Sequence, residues 1–409
     1  SLLQNKWVKR AASPSRMAIL FAILIIVVAA VRVITGADDI TSAGASSATL
    51  RFTIPLLMAG LGGLWAERAG VINIGLEGMM IAGTWLGAWF AFKSGPLAGF
   101  VAAAIGGALI GLFHAILTVK IGIDQAVSGL AINLLAAGTT RYFSGVYFVD
   151  AGGDISLSPQ APQPKVISVP GLGDWLATMQ AKHIFVLSDL AGIFGGLVTN
   201  LSVATIILLL AVPLTSFILW HTRFGLRMRF SGENPVAAES LGVNVYRTRY
   251  IALAVSGVMA SLGGAYLSLV ASSVYREGQT AGRGFIGLAT VIFGNWRPGG
   301  VFAGSLLFGF TDALRIRQAT SVHAVLLVVA ILAILFGLTL AFRKKWRALV
   351  IAASVSAVTY LIYLQVKIIP DEFVTFFPNL ATLLVLTFLS QRLRPPAMAG
   401  APYRKGEES

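Results

Sequence analysis

Runs of apolar residues recur along almost the whole chain, and the first, Met17 to Val31 ("MAILFAILIIVVAAV"), contains no polar side chain. A helix needs roughly 20 apolar residues to cross a bilayer core, and lipid offers no partner to an unpaired backbone group. The runs fall at about 17–35, 48–66, 70–92, 96–119, 126–149, 197–220, 250–272, 284–296, 299–314, 322–342, 348–366 and 374–391. They predict an all-α fold, a polytopic transmembrane helical bundle of about 10–12 membrane segments. The segments 284–296 and 299–314 are too short for ordinary spans and read as one broken element. Composition agrees: 12% of residues are charged, about half the share in soluble domains.

The net charge of +14 raises the question of nucleic acid, but the basic residues sit in short loops between apolar runs. There they set membrane orientation. With the N-terminus inside, 20 of the 31 lysines and arginines face the cytoplasm. They lie in 1–16, Arg68, Lys120, 221–249, Arg297, "RKKWR" at 343–347 and the tail beyond 391. Both termini are then cytoplasmic, and Arg315 and Arg317 are the discordant pair. The predicted organisation is an N-terminal tail over 1–16, a transmembrane domain over 17–391 and a C-terminal tail over 392–409. The first run is read as an uncleaved span, because no small-residue cleavage site follows it.

Several chemistries are excluded. The chain has no cysteine, so no disulfide or thiolate site forms. The histidines, at 114, 183, 221 and 323, lack ligand spacing, and no P-loop pattern occurs. No nucleophile–base constellation emerges, so an enzyme is not expected, and no cofactor or metal is expected on this chain.

Ionisable groups at membrane depth cost about 2.5–3.5 kcal/mol on insertion scales and mark functional positions by default. In "ERAGVINIGLEGMMIAG", Glu67 to Gly83, a continuous helix would put Asn73 and Glu77 on one face, with Gly75, Gly78 and Ala82 opposite for close packing. Each mid-helix glycine costs about 1 kcal/mol relative to alanine, so a break near Gly75 competes with that helix. Glu77 either lines a solute path or bonds a neighbouring helix or Arg68. Asn133 and Asp312 are further pathway candidates, although Asp312 also has the spacing to pair with Arg315. A second glycine-punctuated segment, "GRGFIGLATVIFGNWRPGG" from Gly282 to Gly300, repeats Ile-Gly-Leu followed by Ile-x-Gly. Interrupted apolar segments in two halves of a transporter point to its central path. The spacings Gly83–Gly87, Gly107–Gly111, Gly192–Gly196 and Gly300–Gly304 read as packing seams.

Two loops stand out. The 150–189 connection, on the outer side, is rich in glycine and proline and long for its kind; it reads as a solvated linker or as a surface for an external partner. In the 221–249 loop, Asn234 is placed to cap a short helix starting at Pro235 and closing at Gly242, with five arginines around it. It reads as a positive-inside loop or as a docking knob.

"RAGVINIGLEGMMIAG", "GENPVAAESLGV", "GRGFIGLATVIFGNWRPGG" and "RPPAMAGAPYRKG" together resemble the permease subunits of bacterial ABC importers for nucleosides and simple sugars. These sit within the branched-chain amino acid and ribose permease family. The resemblance covers about Leu50 to Arg317 and Ile369 to Lys405. It implies a second related permease, a cytoplasmic ATPase carrying ATP and Mg, and an extracytoplasmic solute-binding protein, all at the bacterial inner membrane. It implies that Asn234–Gly242 is the coupling helix, with Glu233, Asn234, Pro235, Ala237, Ala238, Glu239 and Gly242 meeting the ATPase. Val236 stands where the importer signature has its leading glutamate. Residues 318–366 are extra relative to family members of ordinary length and are expected to form a peripheral two-helix hairpin.

The expected function is nucleoside import, with sugar or branched-chain amino acid import as the alternative. A proton-coupled transporter using Glu77 and Asp312 is the rival of a different class, and a non-transporting membrane scaffold is the third reading.

Overall fold

Proline and glycine punctuate the helices where backbone chemistry calls for them. Pro14–Thr35 forms α1, Ala43–Arg68 α2 and Leu76–Ser94 α3, which ends at Gly95 with φ of +90°. Pro96 then opens α4, Pro96–Ala115, at the position where its missing N–H costs nothing. A turn of π-helix extends α4 to Ile121, and Asp124 caps α5, Gln125–Tyr147, by accepting the amides of Ala126 and Val127. The computed structural model describes residues 14–314, 319–342, 344, 346–366 and 393–403. The expected span at 374–391, together with Arg315 and Arg317, lies outside them.

The remaining helices are α6 (Leu172–Ala181), α7 (Leu187–Val198), α8 (Val203–Leu209), α9 (Ala211–His221), α10 (Arg223–Glu233), α11 (Pro235–Ser240) and α12 (Val245–Tyr266). After them come α13 (Arg283–Phe293), α14 (Pro298–Leu314), α15 (Ala319–Phe342) and α16 (Trp346–Gln365). Among the described residues, six helices are long and apolar enough to cross a membrane: Ala43–Arg68, Pro96–Ile121, Val203–His221, Val245–Ala271, His323–Phe342 and Trp346–Gln365. The fold is all-α and polytopic, and the short pair at 284–314 is two helices, α13 and α14, joined at Gly294–Arg297.

The chain divides into two units. One comprises Ser1–Ala48, Ser168–Leu201 and Thr311–Phe377. In it α1 packs on α15 through Val27, Val31, Ala324, Leu327 and Val328. Helices α15 and α16 form an antiparallel hairpin, with Ser356 donating to the Ala330 carbonyl at 2.8 Å and His323 stacked on Tyr363. Buried Arg32 meets Asp189 (Nε–Oδ1 2.8 Å) and Asp38 (Nη1–Oδ1 3.1 Å), while Thr41 donates to Asp189 at 2.7 Å. Gly192 and Gly196 on α7 lie against the carbonyls of Thr41 and Ala43.

The other unit comprises Thr49–Ile167, Ser202–Phe310 and Pro378–Ser409. Helix α12 packs against both α3 and α4. Small residues set the approach: a methyl on Gly83 would strike the Ser261 carbonyl, and one on Gly107 the Gly257 carbonyl. With little hydrophobic drive between helices in lipid, such backbone contact supplies the packing energy. The expected seams at Gly83–Gly87 and Gly107–Gly111 are therefore real contacts. Helix α5 buries one narrow stripe at four-residue spacing: Ser128, Ile132, Ala136, Thr140 and Ser144.

The 150–189 segment differs from a solvated linker. Ser158 and Ala161 donate their amides to the carbonyls of Tyr275 and Ser273, and Glu277 returns one to Ser156. Its second part carries α6 and the start of α7. The polar, glycine-rich sequence concealed the first feature, because the pairing partner lies more than a hundred residues away.

Candidate functional site

The stretch from Glu67 to Gly83 is broken, not helical throughout. Helix α2 ends in a Schellman turn: Gly70, at φ +94°, donates to the Glu67 carbonyl at 3.0 Å, and Val71 donates to Ala66 at 3.0 Å. Val71–Asn73 has no regular structure, a turn follows at Ile74 and Gly75, and α3 begins at Leu76. Asn73 thus lies ahead of the helix, and the shared helical face with Glu77 does not exist. The glycines favoured the break over that helix.

Backbone groups in such a break need partners, and three side-chain amides supply them. Gln125 accepts the Ile72 amide at 2.7 Å. Asn73, 0% exposed, accepts the Gly75 amide at 3.0 Å and donates to Ser256 on α12 at 2.9 Å. Asn133 on α5 accepts the Gly78 amide at 2.7 Å and donates to the Ile74 carbonyl at 3.1 Å. Close approach makes this possible: a methyl on Gly78 would sit 2.8 Å from Asn133 Cα.

Glu77, 7% exposed, does not pair with Arg68. Its Oε1 accepts the Gly282 amide at 2.9 Å and its Oε2 the Gly284 amide at 2.6 Å. One carboxylate therefore stands in the first turn of α3 and at the N-terminus of α13, where both helix dipoles favour negative charge. The two glycine-punctuated segments, paired in sequence only by a few residues, meet here. Asp312, 8% exposed on α14, belongs to the other unit.

A second cluster lies where α2 ends and α10–α12 are joined. Arg68 donates through Nε (3.1 Å) and Nη2 (2.6 Å) to the Trp296 carbonyl, and the Trp296 indole donates to Glu67. These bonds hold Asn295 and Trp296 in left-handed conformations, at φ +48° and +52°. Arg68 also lies 3.9 Å from Glu233 and stacks over Trp220. Asn234 caps α11 by accepting the Ala237 amide at 3.0 Å, Pro235 occupies the first turn, and Gly242 closes it at φ +79°. This is the arrangement read from the residues. Val236 and Leu241, the latter 76% exposed, are displayed outward, and Ala238 is buried.

Residues 393–403 also join this cluster. Tyr403 donates to the Glu239 carboxylate and packs on Ala238 and Val245. Burial, then the hydrogen bond and charge of Glu239, push the Tyr403 hydroxyl up to about 12, so it remains a neutral donor at physiological pH. Sequence reasoning assigned no role to Glu67, Gln125, Trp296 or Tyr403. The glycines at 282 and 284 act through backbone N–H groups, which carry no side-chain signature.

A family model described as "Branched-chain amino acid transport system / permease component" matches residues 46–336. The chain is 33% identical over 369 residues to the guanosine ABC transporter permease protein NupQ of Bacillus subtilis, covering 88% of this chain and 96% of that one. It is 34% identical over 286 residues (68% and 78%) to the putative glucose ABC transporter permease protein TsgC13 of Haloferax volcanii. It is 33% identical over 274 residues (65% and 80%) to the nucleoside ABC transporter permease protein NupC of Lactococcus lactis. No solved structure matches.

Proposed function

Because the chain belongs to the branched-chain amino acid transport permease family, a family of multi-pass ABC transporter permease subunits, we propose that it forms the membrane path of an importer for nucleosides. The observation that carries this reading is the similarity to NupQ across 96% of that guanosine permease. The similarity to TsgC13, named for glucose, supports sugars as the second reading.

The work is then divided. ATP and Mg belong to a separate ATPase, solute capture to an extracytoplasmic binding protein, and a second related permease completes the path. The capped α11 knob, with Glu233, Asn234, Pro235, Ala237, Ala238, Glu239 and Gly242, meets the ATPase on the cytoplasmic side, where both termini also lie. Its compactness and its outward Val236 and Leu241 support this role.

The path passes the break at Val71–Gly75. Asn73, Asn133 and Glu77 define its wall by fixing two broken segments. Solute affinity then resides mainly in the external binding protein, and the path favours release. The test is uptake into vesicles holding the complex co-purified with its partners. ATP-driven accumulation of guanosine supports the nucleoside reading, accumulation of glucose alone the sugar reading, and uptake that follows the proton gradient overturns both.

A further inference from the structure

The C-terminal segment touches the elements of the second cluster one after another along its length. Arg394 donates its amide to Asn295 Oδ1 at 2.8 Å, and Ala397 donates to Glu233 Oε2 at 3.2 Å. Met398 donates to the Gly232 carbonyl at 3.0 Å and Gly400 to the Gly70 carbonyl at 3.3 Å. The Ala401 carbonyl accepts from Arg249 Nη1 at 3.5 Å, and Tyr403 reaches Glu239. Five separate elements are tied by these bonds: the 294–297 turn, the end of α10, the Schellman glycine ahead of Asn73, the first turns of α12, and α11.

Two further observations make the segment more than a tail resting on a surface. Arg249 is 2% exposed and places its guanidinium 5.5 Å from the centre of the Tyr403 ring, so the segment packs directly on a buried charge at the start of α12. Gly400 adopts φ +83°, and a methyl there would meet Ile72 at 2.8 Å. Pro395 and Pro396 fix their own φ angles and stiffen the chain between the attachments. A stiff segment fastened at both ends transmits displacement, whereas a flexible one absorbs it.

We propose that residues 394–403 act as a strap that carries movement of α11 to the Gly70–Asn73 break, with Tyr403 and Glu239 as the positioning pair that fastens it. This rests on the reading of α11 as the contact with an ATPase. Breaking the Tyr403–Glu239 bond frees one end of the strap while leaving the membrane core untouched.

The test uses the full chain in its assembled complex in lipid vesicles, reading guanosine uptake and ATP hydrolysis together. For Tyr403→Phe, ATP hydrolysis continues and uptake per ATP falls roughly tenfold, the scale of one hydrogen bond to a charged acceptor. Glu239→Gln, which keeps an acceptor without the charge, shows a smaller fall than Tyr403→Phe. Unchanged uptake per ATP in Tyr403→Phe overturns the strap, and so does loss of uptake and hydrolysis in step with lost assembly or a lower melting temperature. If the wild-type complex hydrolyses ATP without moving either guanosine or glucose, the reading beneath the proposal fails instead.

Discussion

Glu77 Oε2 lies 2.6 Å from the amide nitrogen of Gly284, and its Oε1 lies 2.9 Å from that of Gly282. A carboxylate in a membrane bundle is thus fully engaged by backbone at the head of a second helix. Glu77→Gln replaces one acceptor with an amide group facing an N–H donor. Each hydrogen bond to a charged group contributes about 1.5–3 kcal/mol, so melting temperature in detergent and transport fall together. A normal melting temperature with lost transport would assign Glu77 to the solute instead.

Gly284→Ala tests the same junction from the other side. Its methyl would lie 2.5 Å from both N and Cα of Glu77, and backbone cannot yield as a side chain can. Overpacking of this kind costs about 1–3 kcal/mol, read as a lower melting temperature. Gly299→Ala, with nothing near its added methyl, is the control and leaves the unfolding free energy within about 0.5 kcal/mol of wild type.

Asn133→Leu removes the acceptor for Gly78 and the donor for Ile74 in one substitution. Each buried group left unpaired costs about 1–3 kcal/mol. Hydrogen exchange should accelerate at residues 74–78 before it changes in α12. Unaltered exchange there would mean that Asn133 does not hold the break.

These three cases show what was legible. The break near Gly75, the capped helix from Pro235 and the packing glycines depend on short-range backbone preferences, which sequence reports directly. The partners of Glu77 and Asn133 are backbone N–H groups of residues 205 and 55 positions away from them. Every residue except proline carries such a group, so no pattern marks which will be used. The helix Leu172–Ala181 was missed for a related reason: its neighbours in sequence are loop-forming glycine and proline, and its partner α7 follows another turn. Arg68 was the natural charge partner for Glu77 by proximity in sequence, yet the Trp296 carbonyl takes it.

Arg32 and Asp189 form a buried pair that apolar-run counting did not anticipate, with Asp189 1% exposed. Asp189→Asn removes the charge and leaves Arg32 leaning on exposed Asp38. Breaking such a pair costs about 3–5 kcal/mol, whereas Arg32→Leu with Asp189→Leu costs less than the two single changes summed. A double-mutant cycle on thermal unfolding measures the difference; strict additivity would contradict the pairing.

The most direct measurement takes vesicles holding the complete complex, with labelled guanosine outside and ATP supplied to the ATPase face. The account predicts uptake that stops when ATP is removed and continues when a protonophore collapses the proton gradient. Uptake that survives ATP removal and stops with the protonophore would contradict it and return Glu77 and Asp312 to consideration as proton-carrying groups.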